Sequence, residues 1–487
     1  MAHIPHDGPH DGPRAGHSGQ RNSRNDNQND SHRNAHRNAH RNAHRNTRRH
    51  FLGQASALVS AAGLAPLAGA QTVPDYRALV CVFMLGGNDG HNTVVPLSPA
   101  AYNAYKAIRG GLALPDANTS LISISTPSGV PYGLNSGLAA IAPQWAAGKL
   151  AVVANVGMLA RPTTRAQYLA SAVPLPSNLF SHSDQIQQMQ TGSPTGSGGT
   201  GWAGRTVDAV LARNGSSRFP AAISMAGSAL FCAGVNVPSA SLIPGDNLAA
   251  NGMGSWPASA AAARQAGLAQ ILALDSGLAL VQAANKVRQD ALSLNALLTN
   301  AGTGANLATV FPGTPLGAQL KQVAKIIQLR ATTGIARQVF FCSIGGFDLH
   351  SSQSWAQWDL LRTVGEAMAA FHAATQELGV AQQVTTFTQS DFGRSLQPSG
   401  SGSDHGWGSH HLVLGGAVRG GNIYGTLPMP ALGGPDDAGS RGVLIPTTSL
   451  DQYGATLARW FGVPATAMPS VFPNLGYFAT PDLGFMG

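Results

Sequence analysis

The feature that most limits what this chain can fold into is a repeated junction, in which an apolar, strand-like run leads straight into a polar cluster. "ALVCVFML" (78–85) runs into "GGNDGHN", "QVFFCSI" (338–344) into "GGFDLH", and "QVTTFT" (383–388) into "QSDFGR". Two further runs, "LAVVANV" (150–156) and "HLVLGGAV" (411–418), share the unbroken apolar character. Such runs suit strands covered on both faces, and a parallel sheet flanked by helices gives that cover. Helix-like, mostly Ala/Leu-rich stretches alternate with them, at 99–108, 136–147, 184–190, 258–298, 316–329, 354–378 and 450–461. The expected fold is therefore α/β, a three-layer arrangement with a mainly parallel central sheet flanked by helices, plus a helical insertion at about 255–330 in which 258–298 looks like a helical hairpin. Gly/Ser/Pro-rich passages at 191–201, 301–315, 397–403 and 425–442 read as loops, too short for linkers, so 71–487 is expected to be one domain.

In an open α/β sheet, ligands sit beyond the carboxyl ends of the strands. Asp89, Asp348, His350 and Asp391 should then face one crevice, and "GSGSDHGWGSHH" (400–411), with Asp404 and His405, reaches it from between two strands. Beyond residue 70 the chain has seven histidines, and all but His372 lie in such clusters. His410 and His411 open the next strand, where alternation sends them to opposite faces. Carboxylates with imidazoles and no thiolates suit a divalent metal ion: zinc first, then manganese or iron, with magnesium or calcium where carboxylates predominate. A metal there polarises an ester oxygen or activates a nucleophile.

At "LFSHSDQIQQMQTG" (179–192), Ser181, His182 and Ser183 precede a helix-like stretch. A hydroxyl at a helix N-terminus is well placed for attack, although helix capping uses the same residues. Asn88 and Asn92 flank Asp89 and are candidate substrate contacts. Arg394 and Arg205 either hold an anionic oxyacid group or act as ion-pair partners.

Residues 1–46 form a low-complexity leader in which "HRN" recurs from His32, His36, His40 and His44, with nothing apolar to bury. Residues 47–70 read as a twin-arginine signal peptide, with Arg48 and Arg49, a weakly apolar stretch and a small-residue site at Ala68-Gly69-Ala70. The expected partner in export is the twin-arginine translocase, and the expected location is periplasmic or extracellular. Of the net charge of +8, +5 falls within residues 1–70, which removes most of the support for a nucleic-acid partner. No segment reaches the ~18 apolar residues of a stable membrane span. Cys81 and Cys342 sit inside apolar runs and read as buried hydrophobes.

The motifs "FMLGGNDGHNTVVP", "LFSHSDQ", "GWAGR", "GGFDLHSSQ", "QSDFGRSL" and "SDHGWGSHHLVLGGAVRGG", in this order from Arg77 to Pro464, resemble the bacterial family called domain of unknown function 1501. That resemblance implies twin-arginine export and a sulfatase-like place in the alkaline phosphatase superfamily, with one or two divalent metals at the strand ends and a Ser, Thr or modified Cys nucleophile. By it, Asp89 matches the aspartate after the first strand and Ser181 or Ser183 the nucleophile. Asp348 and His350 match a metal pair, Asp391 the aspartate of a later Asp-His pair, and His405 the final metal histidine. Here Phe392 stands where the superfamily commonly has that second His, and the spacing from Asp348 to His350 is shorter than in the phosphatases. The resemblance therefore implies one metal on Asp348, His350 and His405, with Asp89 and Asp391 on a second, weaker position and Asp404 either a ligand or an orienter of His405. No "CxPxR" occurs for modified-cysteine chemistry. The expected function is a metal-dependent hydrolase or transferase acting on small-molecule or glycan phosphate or sulfate esters through a serine. The alternative is a non-catalytic exported protein that keeps the fold to bind a glycan or protein partner.

Overall fold

Long apolar strands stacked side by side form the frame of the molecule. In the computed structural model the described residues are 75–244, 253–275, 277–301 and 307–487. The chain divides into two units, Met1–Ala68 and Gly69–Gly487, and the expected leader (1–46) and signal peptide (47–70) both lie outside the described residues. The strands in chain order are β1 (Arg77–Met84), β2 (Val94–Pro96), β3 (Leu121–Ser125), β4 (Pro131–Asn135), β5 (Leu150–Gly157), β6 (Ala222–Ser224) and β7 (Ala240–Ser241). They continue with β8 (Arg337–Ile344), β9 (Val384–Ser390), β10 (Arg394–Ser399), β11 (Gly402–His405), β12 (Ser409–Gly415), β13 (Ile423–Tyr424) and β14 (Thr448–Ser449).

Nine strands make the central sheet in the order β13-β5-β12-β9-β1-β8-β6-β7, with β14 also on β5. All five expected strands are in it, and pairing is parallel everywhere except around β12, which runs antiparallel to both β5 and β9. The connection explains the exception. A parallel neighbour needs a crossover, usually a helix. The segment from β9 to β12 holds instead the β10–β11 hairpin, turned at Gly400 with φ +64°, where 397–403 reads as plain loop in the sequence.

Helices cover the sheet. Gln353–Glu377 buries Leu361, Val364, Met368 and Phe371, an i, i+3, i+4 stripe, and packs on Pro315–Gln328. The segment 258–298, expected to be a helical hairpin, is two helices, Ala258–Ala273 and Ala279–Ala301, parted where the Gly277 N–H donates to Asp275 Oδ1 at 2.9 Å. The third helix of the 255–330 region, Pro315–Gln328, buries Leu316, Leu320, Val323 and Ile327 and belongs to the main core. The three cysteines are buried free thiols. Among the described residues no helix is long and apolar enough to cross a membrane.

Candidate metal centre

Five chain segments meet at the carboxyl ends of β1, β8 and β9. Gly86 follows β1, Asp348 and His350 follow β8, Asp391 follows β9, His405 ends β11, and His182 opens the helix His182–Thr191. The Gly86 N–H donates to Asp391 Oδ2 at 3.0 Å, tying the ends of β1 and β9 together.

Three imidazoles and one carboxylate point at one another. His405 Nε2 lies 3.1 Å from His182 Nε2 and 3.1 Å from His350 Nε2. Asp348 Oδ1 lies 2.9 Å from His350 Nε2, 3.3 Å from His405 Nε2 and 3.4 Å from His182 Nε2. The ligand atoms of His182, Asp348 and His405 all fall within 4.8 Å of one another. Ligands about 2.0–2.1 Å from a tetrahedral zinc stand roughly 3.3 Å apart, so these spacings match a coordination shell.

The outer ring nitrogens fix the tautomers. His182 Nδ1 is 2.7 Å from Asp391 Oδ2 and His405 Nδ1 is 2.7 Å from the Phe180 carbonyl, acceptors that require an N–H on each ring. Each Nε2 is thereby left with its lone pair turned inward, where it repels its neighbours unless a cation stands among them. Phe180 presents its carbonyl from a left-handed backbone, φ +71°, strained for a residue with a side chain. Burial, and then the charges of His182 and Arg394, hold His405 below its ordinary value against the pull of Phe180 and Asp348. Burial raises Asp348, but the Arg394 hydrogen bond at 2.8 Å and the adjacent cations outweigh it and keep the carboxylate below the usual range. For Asp391 burial wins and the carboxyl is raised, in spite of His182 and Gly86. The donor set, three imidazoles with one carboxylate, fits a borderline divalent ion.

A model of the family described as "Protein of unknown function (DUF1501)" matches residues 76–436. The chain belongs to the DUF1501 family. A comparison with curated proteins found no match. Among solved structures, the lipoteichoic acid synthase LtaP from Listeria monocytogenes is similar at 6% identity and TM-score 0.31, covering 80% of this chain and 74% of that one. The PsFucS1 sulfatase from Pseudoalteromonas sp. is similar at 10% identity and TM-score 0.31, covering 80% and 68%.

The other candidate residues of this DUF1501 chain divide into neighbours of the centre and residues placed elsewhere. Arg394, buried, pairs with Asp348 and holds the carbonyls of Gly86 and Ser403, the ion-pair role of the two expected for it. Asp404 faces His350, 3.5 Å from its Nδ1, and pairs with Arg441 at 2.6 Å, so its neighbour is His350 where His405 was expected. Asp391 stands behind His182, on the ring nitrogen turned away from the centre. Ser181 Oγ donates to Asp184 Oδ2 at 2.5 Å and lies 3.1 Å from Ser183 Oγ.

Asp89 is placed apart from the converging groups. Its carboxylate is buried against Arg109 and the Gln353 amide and accepts the His91 N–H at 2.9 Å, and burial raises it less than Arg109 and His91 lower it. Asn88 and Asn92 are buried in the same network, bonded to Thr93 and to the Leu112 carbonyl, and do not face a crevice as substrate contacts would. Arg205 ties the carbonyls of Thr191 and Val471 at 2.7 Å each, a strap between two helix ends. His410 and His411 are both buried with partners of their own, His410 Nδ1 accepting the Asn155 N–H at 2.9 Å and His411 Nδ1 lying 3.5 Å from Thr388 Oγ1.

Two phenylalanines complete the centre without a sequence signal. Phe180 acts through its carbonyl. The Phe392 ring packs 4.7 Å from the His182 ring and 4.8 Å from the His405 ring, an apolar floor where the resemblance implied a missing ligand.

Proposed function

We propose that this DUF1501 protein is an exported, metal-dependent hydrolase or transferase acting on phosphate or sulfate esters. The observation that carries the reading is the convergence of His182, Asp348 and His405 within 4.8 Å, with His350 beside them. A divalent ion held there supplies charge stabilisation for the oxygen displaced from the ester. The chain's own groups supply the rest. Asp391 and the Phe180 carbonyl hold protons on the outer nitrogens of His182 and His405, and Arg394 keeps Asp348 ionised. Ser181, one residue before His182, attacks the phosphorus or sulfur, and its proton passes to Asp184, kept ionised by hydrogen bonds from Asn178, Ser181 and Ser183. The bond to the leaving alcohol breaks, and water, or an acceptor alcohol, then releases the group from Ser181. Arg48 and Arg49 of the sequence support the export part of the reading.

The 2.5 Å hydrogen bond from Ser181 to Asp184 favours a second reading, in which a water molecule attacks and the serine only ties the helix start to Asp184. The purified mature chain, analysed for bound metal and assayed on aryl phosphate, phosphodiester and sulfate esters beside Ser181→Ala and Asp348→Ala, separates these. We expect about one divalent ion per chain and turnover that Asp348→Ala abolishes. Loss of turnover in Ser181→Ala with metal retained assigns the serine, and retained turnover assigns water. Metal without turnover on any class favours the non-catalytic binding protein, and absence of metal overturns the proposal.

A further inference from the structure

The helix Gln353–Glu377 begins three residues after His350, and its first turns carry an exposed aromatic ladder. Trp355 and Trp358 stack with ring centroids 5.0 Å apart and planes 24° from parallel, and the Arg362 guanidinium lies over the Trp358 ring at 5.8 Å. Trp358 is pinned by its indole N–H, which donates to Ser136 Oγ at 3.0 Å, and Arg362 by Asp359 and Glu366. Trp355 therefore has one face braced, while 68% of the residue stays exposed. Trp355 is five positions along the chain from His350, so the two Cα atoms lie no more than about 18 Å apart, a few sugar rings in length. The His350 side chain is itself 47% exposed, which leaves that side of the centre open.

A rigid indole loses little conformational freedom on binding and offers a flat apolar surface with a polar rim. A pyranose ring matches it, with one face of C–H groups to lie on the indole and hydroxyls at its edge that remain hydrated. We propose that Trp355 is a stacking platform for a sugar ring, so that the ester presented to the centre is carried on a glycan. The inference rests on the ester-cleaving reading of the site and deepens it to a substrate class.

Full-length protein is titrated with hexasaccharides derived from chondroitin sulfate, desulfated chondroitin and chitin, following tryptophan fluorescence and, independently, calorimetry. The expected result is binding of at least one hexasaccharide, weakened roughly tenfold in Trp355→Ala and largely kept in Trp355→Tyr. Metal content and aryl ester turnover should be unchanged in both variants. No hexasaccharide binding by the wild type, equal binding by Trp355→Ala, or Trp355-dependent binding of phosphatidylglycerol vesicles in place of glycan overturns the platform. Aryl ester turnover without Trp355-dependent glycan binding removes the platform and leaves the hydrolase; Trp355-dependent glycan binding without turnover supports the platform and removes the hydrolase.

Discussion

Replacing Asp391 by asparagine changes one contact at the centre, because its Oδ2 accepts from both His182 Nδ1 and the Gly86 N–H while its Oδ1 is buried without a partner. The amide keeps the shape but weakens the hold on the His182 tautomer. Asp391→Asn should fold normally and bind zinc roughly 10- to 100-fold more weakly, as measured by chelator competition. Unchanged affinity would remove Asp391 from the site. Asp348 and His350 were legible in the sequence because they follow a strand, and His405 because its polar stretch lies between two apolar runs, where side chains reach the crevice. The ring direction of His182 was not, since it depends on the left-handed Phe180 and on a carboxylate 209 residues away. Phe392 read as a lost ligand because sequence comparison registers the missing imidazole and not the ring packing that takes its place.

At the scale of elements, the apolar runs located the strands to within a few residues, while strand direction stayed hidden. Direction follows from the connection, and the β10–β11 hairpin looks like loop in a sequence of Gly and Ser. The helix Leu450–Phe461 carries its start signal openly, a capping box in which Ser449 and Gln452 bond each other's backbone. Its second residue conceals a liability. Burial pushes Asp451 up to about 7, against the Asn474 N–H and Arg205, and its Oδ2 has no partner. A folded-state value raised above 3.8 adds stability that is complete below pH 4 and lost as pH rises through about 7. Asp451→Asn, neutral throughout, should therefore gain on the wild type between pH 4 and pH 8, by about 1.4 kcal/mol per unit of displaced pKa. Melting temperatures of the two chains across that range test this, and parallel curves would contradict it.

For the whole molecule, three imidazoles are folded away in neutral form. Burial, the largest cause for each, lowers His91 to about 4 and His410 and His411 to about 3. Values depressed in the folded state give stability that is present above pH 6.5 and lost as pH falls toward 3 to 4. Asp451 acts in the opposite direction over the same interval, three groups against one, so stability is expected to fall as pH drops from about 6 to 4. Urea unfolding at pH 7, 5.5 and 4.5 should show it, and a flat profile would argue that these rings reach solvent. The antiparallel β12 has a different consequence. It sits between β5 and β9 in the sheet, so the sheet closes only after the chain has been synthesised past residue 415, and His405 meets His182 across 223 residues. A nascent chain therefore owns no metal site, and the ion acquired is drawn from whichever compartment's metal pool surrounds the protein when β12 docks.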